Sequence, residues 1–148
     1  MTASAYVHLA FDQMLAVADR LGDEKVNERP ISPDTNAVAA LITHCCGVGE
    51  FWLGHVGLGR DSQRDRDGEF TKRATVAELH SVVASALAQL DADLVALDAG
   101  GAASPFAEGR VFLSGDDRSD ASLVLHVLEE LFQHLGHCEI AADALTTS

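Results

Sequence analysis

Basic residues are scarce in this sequence. Lys and Arg total 10 against 23 Asp and Glu, which gives a formal net charge of −13. Nucleic acids and anionic membrane surfaces are bound through clustered basic side chains, so we expect neither partner. The sequence also lacks an uninterrupted apolar run of about 18 residues, so we expect no membrane span.

Cysteine is scarce as well, with three residues at positions 45, 46 and 138. An odd number that includes an adjacent pair is a poor disulfide framework, and no CxxC pair is present to form a thiolate zinc site. Residues 1–13 contain no cationic stretch ahead of an apolar run, so we expect no secretory signal. These features predict a cytoplasmic protein whose cysteines are buried, unreactive thiols.

Apolar residues make up 47% of the 148 residues and follow a helical period in four stretches. This predicts an all-α four-helix bundle that forms a single domain over residues 1–148. Gly22 is predicted to end the first helix, Thr35 or Asn36 to cap the second, and a capping box from Thr75 to Glu78 to open the third. The predicted helices span residues 4–21, 35–56, 75–98 and 120–145.

Two connections interrupt this pattern. About fifteen residues, which include the charged run GRDSQRDRDGEF (59–70), separate the second and third helices. Fully extended they reach on the order of 50 Å, so these helices need not be antiparallel neighbours. The second connection, residues 100–119, is rich in glycine and contains a predicted short extended piece at 110–113.

A polar stripe marks the last predicted helix. His126, Glu130, His134 and His137 are spaced four, four and three residues apart, so they share one face beside the apolar stripe. Imidazole and carboxylate are metal-ligand types. Helical spacing places His44 at the edge of the apolar face of the second helix. If the second and fourth helices pack antiparallel, His44 reaches a similar height along the bundle, and bundles build metal sites from facing helices in this way.

The spacing leaves alternatives open. Two imidazoles and one carboxylate suit Zn²⁺ with an open position, and also Ni²⁺, Mn²⁺ or Fe²⁺. A histidine on a helix edge is more often a hydrogen-bonded surface residue than a ligand, and Glu129 and Glu130 are compatible with a solvated charge pair. His126 and His137 fit the same stripe, so spacing does not choose the ligands within it.

The stretch from Asn36 to Phe70, together with LHVLEELFQHLGHC (125–138), resembles the DinB/YfiT-like superfamily. Within it, the sequence is similar to actinobacterial DinB-like proteins related to the metal-binding domain of mycothiol-dependent maleylpyruvate isomerase. The resemblance implies up-down-down-up connectivity and a divalent metal, zinc or nickel, bound by His44, Glu130 and His134. It places His137 just after the last ligand as a neighbour of the cavity, and we expect Trp52 to line the substrate pocket.

The resemblance also implies an activity. Some relatives transfer a low-molecular-weight thiol such as mycothiol to an electrophile, so we expect a metal-dependent thiol S-transferase with small-molecule substrates. The isomerases carry a further C-terminal domain that this sequence does not show, so isomerisation is not expected. The alternatives are a non-catalytic, stress-related metal- or ligand-binding bundle, and a structural homodimer whose histidine cluster binds nothing.

Overall fold

The computed structural model describes residues 2–100 and 119–147, and these residues are largely helical. Within them no β-strand is formed, so the prediction of an all-α bundle is confirmed. The predicted extended piece at 110–113 lies outside the described residues. The elements are α1 (Ala3–Lys25), α2 (Val38–Gly49), a π-helical segment (Glu50–Gly57), α3 (Arg66–Glu69), α4 (Val76–Asp98) and α5 (Asp120–Thr146).

The long helices pack around one apolar core. The buried side chains come from α1, α2, the π-helical segment, α4 and α5, and α1 supplies one of the largest, Phe11. Five residues of α1 follow the helical period of the sequence, and four of them, Ala10, Met14, Val17 and Leu21, are buried. The fifth, Tyr6, is 42% exposed, because it lies beside Phe132 at the outer edge of the contact between α1 and α5.

Side-chain contacts show the relative direction of neighbouring helices. His8 Nε2 lies 2.9 Å from Asp91 Oδ2, while His80 Nε2 lies 2.8 Å from Asp19 Oδ1, so α1 and α4 run antiparallel. The His44 ring contacts His134, and the Trp52 ring contacts His126, so α2 and α5 run antiparallel as well. Both directions are those that an up-down-down-up bundle requires, and the full connectivity remains a prediction.

The second helix differs from its prediction at both ends. It begins at Val38, and the residue at its N-cap, Ala37, makes no side-chain capping bond. The N-cap prediction is wrong because the Thr35 hydroxyl is used in the preceding turn, where it donates to Ser32 O at 2.8 Å. The helix then widens into the π-helical segment, which apolar periodicity does not distinguish from a continuous α-helix.

Two local predictions concern α1 and α4. Gly22 interrupts α1 with φ of 67° and ψ of 176°, but helical bonding continues beyond it to Lys25. At the start of α4, Thr75 Oγ1 accepts from Glu78 N at 3.2 Å, and Glu78 Oε2 accepts from Thr75 N at 2.8 Å. The predicted capping box is therefore confirmed.

Membrane insertion finds no support in the described helices. Across residues 2–100 and 119–147, none of them combines the length and the apolar character that crossing a bilayer requires.

Candidate metal centre

Three residues on two helices converge at the middle of the bundle. His44 lies on α2, and Glu130 and His134 lie one turn apart on α5. Each offers one ligand atom, and these atoms all lie within 4.8 Å of one another. The structure thus brings together the three residues that the sequence nominated as metal ligands.

The spacing of these atoms can be compared with that of a metal site. His134 Nε2 lies 3.5 Å from Glu130 Oε2. With bonds of about 2.1 Å, neighbouring ligand atoms of a tetrahedral zinc ion lie about 3.4 Å apart. The His44 and His134 ring centroids are 4.7 Å apart and their planes are inclined by 81°, so the two rings meet edge to face. The residues present therefore fit a divalent cation.

The surroundings of His134 favour its neutral form. Burial, followed by repulsion from His44, lowers the pKa of the His134 imidazole below its ordinary value, and attraction to Glu130 only partly opposes this. A metal binds the neutral imidazole, so the environment favours the form of the ring that can act as a ligand.

His44 is more enclosed than its predicted position at the edge of a helix face. The residue is 5% exposed, so the edge prediction is wrong. Its Nδ1 lies 2.8 Å from Glu69 Oε2, and the Phe70 ring lies 4.7 Å away between centroids. Arg64 binds both oxygens of Glu69, at 2.6 and 2.9 Å. The charged segment, Arg60–Phe70, which follows the π-helical segment, therefore folds back over His44 and buries it.

His137 lies beside the candidate ligands on α5. Its Nδ1 is 3.3 Å from Nδ1 of His134. Since His134 directs Nε2 toward Glu130, its Nδ1 is the nitrogen that faces His137. His137 also lines a cavity of about 220 Å³ whose other walls are mostly apolar and include Leu41 and Ile140. His137 therefore contacts a candidate ligand and also forms part of a cavity wall.

The other end of the stripe serves a different contact. The His126 ring meets Trp52 edge to face with centroids 4.6 Å apart, and its Nδ1 lies 3.4 Å from Glu129 Oε2. His126 lies outside the group of three ligand atoms. The predicted stripe therefore divides into a contact with Trp52 and a group around His134.

The glycines of α2 and the π-helical segment make room for the protein's own side chains. A Cβ on Gly47 would collide with Glu69, and one on Gly54 would collide with Arg60. A cavity of about 450 Å³ lies on the α4 side of α2, and its walls include Cys46. These glycines allow the charged segment to approach α2 closely.

The three cysteines are free thiols. Burial raises the pKa of Cys46 and of Cys138 to about 12, and it raises that of Cys45 well above its usual value. The thiolate is the reactive form of cysteine, so none of the three is suited to act as a nucleophile at neutral pH. Cys45 and Cys138 are buried as predicted, whereas Cys46 is half-buried in the wall of the cavity on the α4 side of α2.

Sequence reasoning missed Glu69 and Arg64. Both lie in the charged run 59–70, which carried part of the family resemblance but received no role. A glutamate directly before an aromatic residue, at the end of a run that carries part of the family resemblance, was the available signal. Alternating charges alone favour a solvated linker, because they do not show that residues 59–70 fold back against α2.

A comparison with protein-family models places most of the chain in one match. The model described as MST, mycothiol-S-transferase, matches residues 2–146. The search of curated proteins and the search of solved structures each found no match to this chain.

Proposed function

Because this chain belongs to the mycothiol-S-transferase family, whose model matches residues 2–146, we propose that it is a metal-dependent S-transferase. The family is DinB-like, so the resemblance noted in the sequence is confirmed at that level. The proposed substrates are a low-molecular-weight thiol of the mycothiol type and a small electrophile.

The observation that carries the proposal is the convergence of His44, Glu130 and His134 in the middle of the bundle. We propose that these three residues hold a zinc or nickel ion. Two imidazoles and one carboxylate leave a coordination position open, which is typical of catalytic rather than structural zinc. The Glu130 carboxylate would also balance part of the cation's charge.

A bound divalent cation would lower the pKa of a thiol that binds it, so that the substrate thiol is deprotonated near neutral pH. In the reaction, a bond forms between the thiol sulfur and a carbon of the electrophile. The leaving group departs with the bonding electrons, and the thiol proton passes to solvent. The protein's own cysteines have raised pKa values, so the sulfur nucleophile comes from the substrate.

The candidate metal site is closed on the α2 side and more accessible on the α5 side. His44 is 6% exposed at its side chain, whereas the side chains of His134 and Glu130 are 15% and 29% exposed. Solvent and a small substrate can therefore approach from the α5 side, while α2 and the charged segment close the opposite side. His137 can accept a hydrogen bond from Nδ1–H of His134, which would keep Nε2 of His134 directed at the site.

The test uses untagged protein, so that no added histidines bind metal. We would measure metal content by mass spectrometry and the conjugation of mycothiol to a panel of electrophiles, for wild type, His134→Ala and His80→Ala. His80 is an exposed histidine on α4 whose side chain is 48% accessible, so it is a matched control. We expect His134→Ala to lower kcat/KM by at least about 100-fold, and His80→Ala to match wild type.

Three results would contradict the proposal. Equal conjugation rates in wild type and His134→Ala would remove the transferase function. Bound metal without conjugation of any electrophile would favour the non-catalytic binding bundle, and a protein that takes up neither zinc nor nickel would favour a structural role.

A further inference from the structure

The charged segment, Arg60–Phe70, has no part in the proposed reaction, yet it contacts the buried candidate ligand. Glu69 is 7% exposed and brings Oε2 to 2.8 Å from Nδ1 of His44. The Phe70 ring covers the His44 ring at 4.7 Å between centroids. Burying a carboxylate against this imidazole is costly unless a group of opposite charge compensates the carboxylate.

Arg64 supplies the compensating charge. Its Nε lies 2.6 Å from Oε1 and its Nη2 lies 2.9 Å from Oε2, so the guanidinium binds both oxygens of Glu69. The Arg64 side chain is 10% exposed, so this ion pair is enclosed. A carboxylate whose two oxygens both receive N–H groups from a guanidinium acts as a hydrogen-bond acceptor at each of them.

The tautomer of His44 follows from this network. Since Glu69 only accepts, the proton of the 2.8 Å contact lies on Nδ1 of His44. Arg64 Nη2 also lies 3.2 Å from Nδ1 of His44. Both nitrogens then carry protons, and both donate to Oε2 of Glu69. The lone pair of His44 is therefore on Nε2, the nitrogen left to face Glu130 and His134.

We propose that Glu69 is a positioning residue, which fixes the tautomer and ring orientation of His44 so that Nε2 is presented to a divalent cation. The proposal rests on the proposed metal-binding function and extends it to residues outside the three ligands. Carboxylates that accept from the second nitrogen of a ligand histidine orient the ring and make it more basic toward the metal. Arg64 acts one contact further out, by holding both oxygens of Glu69 in place.

The sequence of the segment supports this placement. Asp65 caps α3 by accepting from Gly68 N at 3.0 Å, which directs the next residue, Glu69, back toward α2. On the facing helix, Gly47 leaves the space that the Glu69 carboxylate occupies. The run that resembled a solvated linker is thus folded around one histidine.

A purely structural role for Glu69 is the competing explanation, and a control variant separates the two. Asp93 is a second buried carboxylate that anchors the same segment, since Arg60 binds its two oxygens at 2.7 and 2.8 Å, but it does not contact His44. Glu69→Gln and Asp93→Asn each remove the charge of one buried carboxylate with little change in side-chain size. Only Glu69→Gln alters the partner of His44.

The first measurement needs no variant and no metal. In metal-free wild-type protein labelled with ¹⁵N-histidine, long-range ¹H–¹⁵N spectra distinguish the two neutral tautomers. We expect His44, assigned by its loss in His44→Gln, to carry its proton on Nδ1. A proton on Nε2 would overturn the proposal.

The second measurement is zinc affinity, determined by competition with a chromophoric chelator, on variants whose helical circular dichroism matches wild type. We expect Glu69→Gln to weaken zinc binding about 10–100-fold and to change the visible spectrum of the cobalt-substituted protein. Asp93→Asn should lower the melting temperature while its zinc affinity stays within about 2-fold of wild type. Equal zinc affinity in wild type and Glu69→Gln would contradict the proposal.

The two proposals fail in different ways. If wild-type protein binds neither zinc nor nickel, the proposed function fails, whatever tautomer His44 adopts. If wild type binds zinc but Glu69→Gln binds it equally well, the metal site stands and the positioning role of Glu69 is wrong.

Discussion

Among single residues, His134 links the candidate centre to the stability of the fold. Its folded-state pKa is lowered, first by burial of the ring, whereas in the unfolded chain it returns to the ordinary value near 6.5. As pH falls through that value, the unfolded chain takes up a proton that the folded protein does not. The contribution of His134 is therefore complete above about pH 6.5 and declines as the pH falls toward the folded pKa.

This gives a prediction for metal-free protein. Between pH 7.5 and pH 5.5 the free energy of unfolding in urea should fall, and it should fall less in His134→Gln, which has no proton to gain at this position. The measurement is a pair of urea titrations for each protein. The same pH dependence in both would show that burial of His134 does not act on stability in this way.

Individual residues also show which parts of the candidate site could be predicted from the sequence. His44, Glu130 and His134 could be nominated from ligand chemistry, helical spacing and family resemblance. Glu69 could not, because the hydrogen bond from His44 depends on the return of a charged segment to α2. The burial of His44 has the same origin, so its predicted position at the edge of a face was wrong.

Among the helices, α1 contains a backbone conformation that requires glycine. Gly22 has φ of 67° and ψ of 176°, a region that side chains with a Cβ rarely adopt. No atom lies within 4 Å of a Cβ built there, so the cost of a substitution is conformational rather than steric. We expect Gly22→Ala to reduce the free energy of unfolding by about 1–3 kcal/mol, measured by urea titration. An unchanged value would show that α1 can straighten at this point without loss.

Two helical glycines give a matched comparison between crowded and open positions. A Cβ on Gly47 would collide with Glu69, whereas nothing lies within 4 Å of a Cβ on Gly136 of α5. We expect Gly47→Ala to destabilise the protein by about 1–3 kcal/mol and to weaken zinc binding, because Glu69 must move away from His44. Gly136→Ala should instead add up to about 1 kcal/mol, since alanine favours a helix.

The comparison is made by urea unfolding and by chelator competition on the three proteins. Stabilisation of the protein by Gly47→Ala, with zinc affinity unchanged, would show that the Glu69 side chain relocates freely and that its contact with His44 is dispensable.

The helices differ in how well sequence predicts them. α4 is well predicted, because its capping box and its apolar repeat are local signals that packing does not override. The second helix is less well predicted. Its start lies beyond the turn that uses Thr35, and its π-helical end forms where the chain packs Arg60 against Gly54, a contact that is not encoded in local periodicity.

Across the whole molecule, the candidate centre depends on how two distant helices meet. His44 and His134 are ninety residues apart, and they meet because α2 and α5 pack antiparallel, as the contact of Trp52 with His126 also shows. From the sequence, the contact between His44 and His134 could be predicted only on the assumption that their two helices are neighbours. Helical spacing shows which residues share one face of a helix, but not which other helix packs against that face. The family resemblance supplied the pairing. Homodimerisation and a reducing, cytoplasmic location remain predictions.

The most direct test of the central claim is a crystal of the untagged protein soaked with zinc, with anomalous diffraction recorded at the zinc absorption edge. We expect one strong peak about 2.0–2.2 Å from a ring nitrogen of His44, a ring nitrogen of His134 and a carboxylate oxygen of Glu130. No peak at this position, or a peak held by His126 and Glu129 while His44 stays unbound, would contradict the account.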